Sequence, residues 1–154
     1  MRDALKIILT TSFKLLFLLY IPFTLLSNWL DFKLGNDDTI LKLKSHGIYY
    51  FWFMIFVLGP LIETIIFQIL IIKLIGFYST NKNVAVVFSA LLFSLSHIYS
   101  LPYFIYAFLA GLLFANLYFI AKNNNLSTFK IIFYTHALSN MAIYILHSVF
   151  FKHL

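Results

Sequence analysis

The stretch Gly47-IYYFWFMIFVLGPLIETIIFQILIIKLIGF-Tyr78 decides the fold. Its 32 residues carry two charged side chains, Glu63 and Lys73. Drawn as one helix it would rise about 48 Å, against a hydrocarbon core of about 30 Å. Gly59-Pro60 sits in its middle. Proline removes a backbone hydrogen bond and disfavours helix at the residue before it. The segment is therefore either one tilted, kinked span or an interfacial helix followed by a span starting near Pro60.

Composition agrees with a membrane setting. Of 154 residues, 62% are hydrophobic and 10% charged; soluble domains average about 45–50% apolar and about 25% charged. So few charges could not cover a soluble globule. Disorder is excluded too, because the chain holds 19 Phe and 10 Tyr. The length bounds the answer to one domain or one compact bundle. The expectation is an all-α, polytopic transmembrane helix bundle of about five spans. There is no Cys, which excludes disulfides, thiolate metal sites, a Cys nucleophile and lipidation through cysteine. The formal net charge of +6 does not indicate nucleic acid, since the basic residues are scattered singly.

The first apolar segment runs from about Ala4 to Leu30. Arg2 and Lys6 ahead of it mimic a signal peptide. No small-x-small cleavage site follows, and Asn28-Trp29 reads as an interfacial anchor, so an uncleaved helix is expected. Lys14 within it snorkels or faces the bundle. Asp31 to His46 is a polar connector with a turn signal at Gly35-Asn36-Asp37-Asp38. Beyond Tyr78 comes a short third segment, Val84 to Ile98, closed by the break Ser100-Leu101-Pro102. A fourth runs from Pro102 to Ala121 and, after Asn123-Asn124-Asn125, a fifth from Leu126 to Phe151. Ala107, Gly111 and Ala115 form a small-residue stripe that admits a neighbouring helix closely. Five spans put Arg2, Lys6, Lys73, Lys82, Lys122 and Lys130 on one side and Lys33, Lys42, Lys44 and Lys152 on the other. That bias favours a cytoplasmic N-terminus. No internal repeat is visible.

Polar residues inside apolar helices are expensive. Asp3, Asp31, Asp37 and Asp38 are terminal or in the connector, but Glu63 stands alone in an apolar run. A charge near a helix centre costs about 2.5–3.5 kcal/mol on insertion scales. A structural carboxylate is the plain alternative; function is the stronger reading. His97 lies near the end of the third segment and His136 deep in the fifth. A single His in an apolar helix is more often a packed core residue than a catalyst. The pair His136 and Asn140 says more. At i, i+4 they share a helix face, and both can donate to one small polar target. His46 and His153 carry no such signal, and His147 reads as packing rather than as the lining of an access path. A glutamate that activates water, with His and Asn donors to hold an oxyanion, is the minimum set for amide hydrolysis.

Three short motifs contain these residues: Glu63-Thr64-Ile65-Ile66-Phe67-Gln68 after Gly59-Pro60, then Phe93-Ser94-Leu95-Ser96-His97, then His136-Ala137-Leu138-Ser139-Asn140. In order and spacing they resemble the CPBP (Abi) family of intramembrane proteases, which includes the type II CAAX prenyl endopeptidases. That family is marked by Glu-Glu-x-x-x-Arg, Phe-x-x-x-His and His-x-x-x-Asn on separate transmembrane helices. The resemblance covers about Gly47 to Phe150. It divides the chain into an N-terminal helix with its connector, residues 1–46, and a protease-like core, residues 47–154. Thr64 stands where the family has its second Glu, and Gln68 where it has Arg. At i, i+4 the family's residues would form a helix-face ion pair. Here both charges are absent together, which reads as a swap of a supporting pair rather than decay of the site.

The resemblance implies an intramembrane endopeptidase that cleaves a membrane-associated protein or peptide, with CAAX-type processing as one form. It implies Glu63 as general base, His97 as positioner of the water or proton shuttle, and His136 and Asn140 as oxyanion donors. Thr64, Gln68 and Phe93 support them. The family is described as metalloprotease-like, and Glu63, His97 and His136 could supply a zinc site. Such a site needs a separate base. Glu63 is the only acid in the apolar helices, and no His-Glu-x-x-His occurs. A metal-free mechanism without cofactor is therefore expected, with zinc as the alternative. A non-catalytic immunity or scaffold protein of the same fold ranks second; it would keep its function without Glu63. A small proton-coupled transporter ranks third, since inverted repeats are not visible. The expected partners are a peptide or membrane-protein substrate and the lipid bilayer, with no nucleic acid. The Lys, Asn and Ile bias with scarce Arg points to an A/T-rich genome and so to a bacterial plasma membrane.

Overall fold

The computed structural model describes residues 2–29 and 37–151. Among these the regular structure is all helical. In chain order the helices are α1, Arg2–Leu26; α2, Asp37–Ser45; α3, Ile48–Tyr78; α4, Lys82–Leu95; α5, Leu101–Asn123; and α6, Thr128–Val149. Four of them, α1, α3, α5 and α6, are long and apolar enough to cross a membrane. The fifth expected span is α4, at 14 residues much the shortest of the apolar helices.

α3 settles the reading of the Gly47–Tyr78 stretch. It is one helix; the interfacial break near Pro60 does not occur. The reason is a π turn at Met54–Leu58. The Gly59 N–H reaches the Met54 carbonyl, five residues back instead of four. A Cβ at Gly59 would stand 3.0 Å from that oxygen, so glycine is what lets the turn close. A second π stretch, Thr64–Ile71, follows Glu63. The widened register spreads the disturbance of Pro60 over several residues, and the axis continues.

Helix starts follow local rules. The Asn81 side chain accepts from the Asn83 N–H at 2.9 Å and opens α4. Ser100 Oγ accepts from the Tyr103 N–H at 3.2 Å and opens α5, with Pro102 in the first turn, where its missing N–H costs nothing. The expected break at Ser100-Leu101-Pro102 is thus a helix start. In the polar connector, Gly35-Asn36 lies outside the described residues, whereas Asp37-Asp38, expected in a turn, open α2. Lys42 and Lys44 occupy the last turn of α2, where cations complement the negative helix end.

The bundle is small inside and large outside. Ala85, Ala90, Ala107, Ala110, Ala115 and Ala121 are buried with Ser89 and Ser94, while Leu18, Ile65, Leu70 and Phe77 face outward. In water that exterior would aggregate; against lipid it is the solvated face. The stripe of Ala107, Gly111 and Ala115 is buried, as its spacing predicts. It brings α5 so close to α4 that a Cβ on Gly111 would stand 3.0 Å from Ala90 Cα. α1 packs on α6. Ser12 Oγ donates to the Thr135 carbonyl at 3.3 Å, and Leu15 is buried. Tyr20 Oη and His147 Nδ1 meet at 3.0 Å between the same two helices, so His147 does pack. Lys14 takes the outward of its two expected placements.

Candidate active site around Glu63

Glu63 ends the short α-helical turn between the two π stretches of α3. Two imidazoles from other elements face its carboxylate. His136 Nε2, from α6, lies 3.4 Å from Oε2. His97 Nε2, from the turn after α4, lies 3.8 Å from Oε1. The three side chains are not equally open: Glu63 is 25% exposed, His97 15% and His136 5%. Gly59, one turn before Glu63, leaves room beside the carboxylate, since a Cβ there would come within 3.9 Å of Oε1.

The orientation of His97 follows from its other nitrogen. Nδ1 lies 2.8 Å from the Phe93 carbonyl. A carbonyl only accepts, so Nδ1 carries the proton. In the neutral ring Nε2 is then a lone pair turned toward Glu63 Oε1. The Ser96 hydroxyl donates to the same carbonyl at 2.7 Å and braces the turn. Two acceptors cannot bond each other, and at 3.8 Å they are spaced for one water donating to both. His136 differs. Its Nδ1 is buried without a hydrogen-bond partner, so Nε2 is the nitrogen that faces a polar group. A proton on that Nε2 points at Glu63.

Aromatic rings hold both imidazoles. Phe93 is buried, 4.6 Å from the His97 ring and 5.9 Å from His136 at 71°. Phe114 of α5 lies 4.5 Å from His136 at 31°, and Tyr103 lies 5.8 Å from His97. Phe93 therefore touches both histidines, which fits its place in the second motif. Phe114 and Tyr103 were not singled out by the sequence. In a chain that is 20% aromatic, an aromatic residue carries no signal of its own.

Asn140 lies one turn beyond His136 on α6. Its Nδ2 donates to the Ile55 carbonyl of α3 at 3.0 Å, leaving its second N–H and its oxygen for other contacts. Thr64 and Gln68 are fully buried. Gln68 Oε1 accepts from the Ser89 hydroxyl of α4 at 2.9 Å, a contact the sequence did not suggest. Thr64 Oγ1 and Gln68 Nε2 are buried without partners. The two residues that stand where the family has its charged pair therefore point into the bundle, one of them anchored to α4.

The zinc alternative can be tested on the donors. Among the described residues no group of three or more His, Asp or Glu side chains is arranged to hold a metal ion. Glu63 is the lone carboxylate here and would have to serve as both ligand and base. As placed, these side chains lack the three-donor grouping of a zinc site.

A family model described as Type II CAAX prenyl endopeptidase Rce1-like matches residues 45–150. That interval contains Glu63, His97, His136 and Asn140, and leaves α1 outside. Comparison with curated proteins and with solved structures gave no match.

Proposed function

The chain belongs to the Type II CAAX prenyl endopeptidase Rce1-like family, and from that membership we propose that it is an active intramembrane endopeptidase with Glu63 as its general base. The observation that carries the reading is the carboxylate of Glu63 between His136 Nε2 at 3.4 Å and His97 Nε2 at 3.8 Å. No packing requirement brings the one acid in helices α3–α6 and two imidazoles from separate elements to a single point.

In this mechanism a water lies between Glu63 Oε1 and His97 Nε2. Glu63 takes its proton as the oxygen attacks the scissile carbonyl. The resulting oxyanion is met by His136 Nε2–H and by the free N–H of Asn140. Glu63 then gives the proton to the leaving nitrogen as the C–N bond breaks, releasing a carboxylate and an amine. His97 positions the water and, when it takes a proton, shuttles it. Phe93 seats both imidazoles, and Thr64 and Gln68 seat the α3 face behind Glu63. No metal takes part. Residues 47–154 form the protease core, and residues 1–46 add a transmembrane helix and a polar connector to it. The substrate is a peptide segment at a bacterial plasma membrane, and CAAX-type processing is the family's version of that reaction.

Cleavage of a quenched peptide library that includes prenylated peptides, by the purified chain in detergent, tests this reading. Wild type should cleave, Glu63→Gln should not, and a chelator should leave wild type unchanged. Loss of activity with chelator would replace the mechanism by a metal-dependent one. Cleavage retained in Glu63→Gln would remove Glu63 from the chemistry. Silence of every sample would favour a binding protein of the same fold.

A further inference from the structure

We propose that Asn140 is the missing rung of α3: its amide stands in for the N–H that Pro60 lacks, and thereby holds Glu63 opposite the two histidines. The first half of this proposal stands on the α3 backbone and the Asn140 side-chain bond to it; the second rests on the protease reading.

The register of α3 identifies the vacancy. Gly59 N–H donates to the Met54 carbonyl, an i→i−5 bond. The next rung of that ladder would join residue 60 to the Ile55 carbonyl. Residue 60 is proline and has no N–H to give. A carbonyl left unpartnered in an apolar slab is strongly unfavourable. Asn140, 85 residues along the chain, donates to that same Ile55 oxygen at 3.0 Å. The carbonyl that Asn140 takes is the one that proline leaves without its backbone donor in this register.

Two consequences place this bond in the site. Asn140 follows His136 by one turn of α6, and Glu63 follows Pro60 by three residues of α3. The bond therefore fixes the register of α6 on α3 within one turn of both reacting side chains. It sets the 3.4 Å between His136 Nε2 and Glu63 Oε2. It also fixes the plane of the Asn140 amide, so that the second N–H has a defined direction. Asn140 acts here as a positioning residue, whatever its free N–H does to a substrate.

A double-mutant cycle decides the matter, because Pro60→Ala returns the N–H and makes the Asn140 donor redundant. The four proteins are wild type, Asn140→Ala, Pro60→Ala and the double variant, each followed by reversible unfolding in mixed micelles. Asn140→Ala should weaken folding about 5- to 160-fold in the wild-type chain, the range for stranding a buried acceptor. In the Pro60→Ala background the loss should be at most about threefold. Equal losses in the two backgrounds overturn the proposal, and this comparison needs no substrate. If Asn140→Ala does not fold, folding of the double variant supports the proposal and its failure overturns it. Where cleavage is measurable, the pH profile of kcat/KM reports the seating of Glu63. It should shift in Asn140→Ala and return in the double variant. A profile that stays shifted while stability returns overturns the positioning half alone.

Discussion

Two glycines in α-helical stretches of the spans should respond to the same substitution with opposite signs. Alanine in place of glycine inside a helix gains about 0.5–1 kcal/mol from backbone entropy and propensity. Gly76 of α3 has nothing within 4 Å of its virtual Cβ, so Gly76→Ala should show that gain nearly whole. At Gly111 the added Cβ meets Ala90 Cα at 3.0 Å, Phe93 Cδ1 at 3.1 Å and Ala90 Cβ at 3.3 Å. The first of these is backbone and cannot swing aside. α5 must back away from α4 by a few tenths of an ångström along the whole buried stripe. Overpacking of that kind costs about 1–3 kcal/mol. The propensity gain is common to both variants, so the difference between them isolates the clash. It should be about 1–3 kcal/mol, roughly 5- to 160-fold in the folding constant. Unfolding of both variants in mixed micelles, under one set of conditions, measures it. Phe93 also touches both histidines, so Gly111→Ala should lower cleavage beyond its effect on the folded fraction, and Gly76→Ala should not. If Gly111→Ala proves as stable as Gly76→Ala, α4 and α5 do not approach closely at Ala90.

Thr64→Val replaces an unpartnered buried hydroxyl by a methyl of similar shape and should stabilise the protein by about 1 kcal/mol; a comparable loss in the same unfolding assay would show that the hydroxyl has a partner. Tyr20→Phe removes the hydroxyl that meets His147 and keeps the ring contact with Tyr106, so it should lower stability by about 0.5–1.5 kcal/mol and leave kcat/KM unchanged. A change in kcat/KM would connect His147 to the chemistry after all. Ser100→Ala deletes the cap of α5 and should cost about 1 kcal/mol in thermal or denaturant unfolding. Because Ser100 ends the turn that carries His97, the variant should also slow cleavage, and unaltered kinetics would mean that α5's first turn does not hold that turn in place.

The sequence exposed the site because a membrane makes polar residues costly. Glu63 had no reason to sit in Leu61-Ile62-Glu63-Thr64-Ile65 unless something faced it, and two histidines do. The same economy made the stripe at Ala107, Gly111 and Ala115 legible, since small residues at i+4 have one evident use in a span. Pro60 was half legible. A proline in an apolar run signals a lost hydrogen bond, but not whether the chain breaks or a distant side chain mends the gap. Here the mending group is Asn140, and nothing local to Gly59-Pro60 names it. Lys14 and α2 were open for a related reason. A long cation can turn either way, and Asp37-Asp38 opens a helix as readily as a turn. Which aromatic rings wall the histidines was hidden by their abundance, and the Gln68–Ser89 bond by the lack of any pattern linking those two positions.

The brevity of α4 has a further consequence. Its 14 residues rise about 21 Å, about 9 Å short of a hydrocarbon layer about 30 Å thick. Lys82 at its start shares a groove with Lys73 and Lys122, and three ammonium groups hold that end at the headgroups. The shortfall therefore falls at the other end, where His97 and the turn to Ser100 lie sunk beneath the lipid surface. Peptide groups at that level must find partners, and the Ser96 and His97 N–H groups find theirs in the Phe93 and Ser94 carbonyls. On the proposed reading, a segment already held within the leaflet meets Glu63 at its own level.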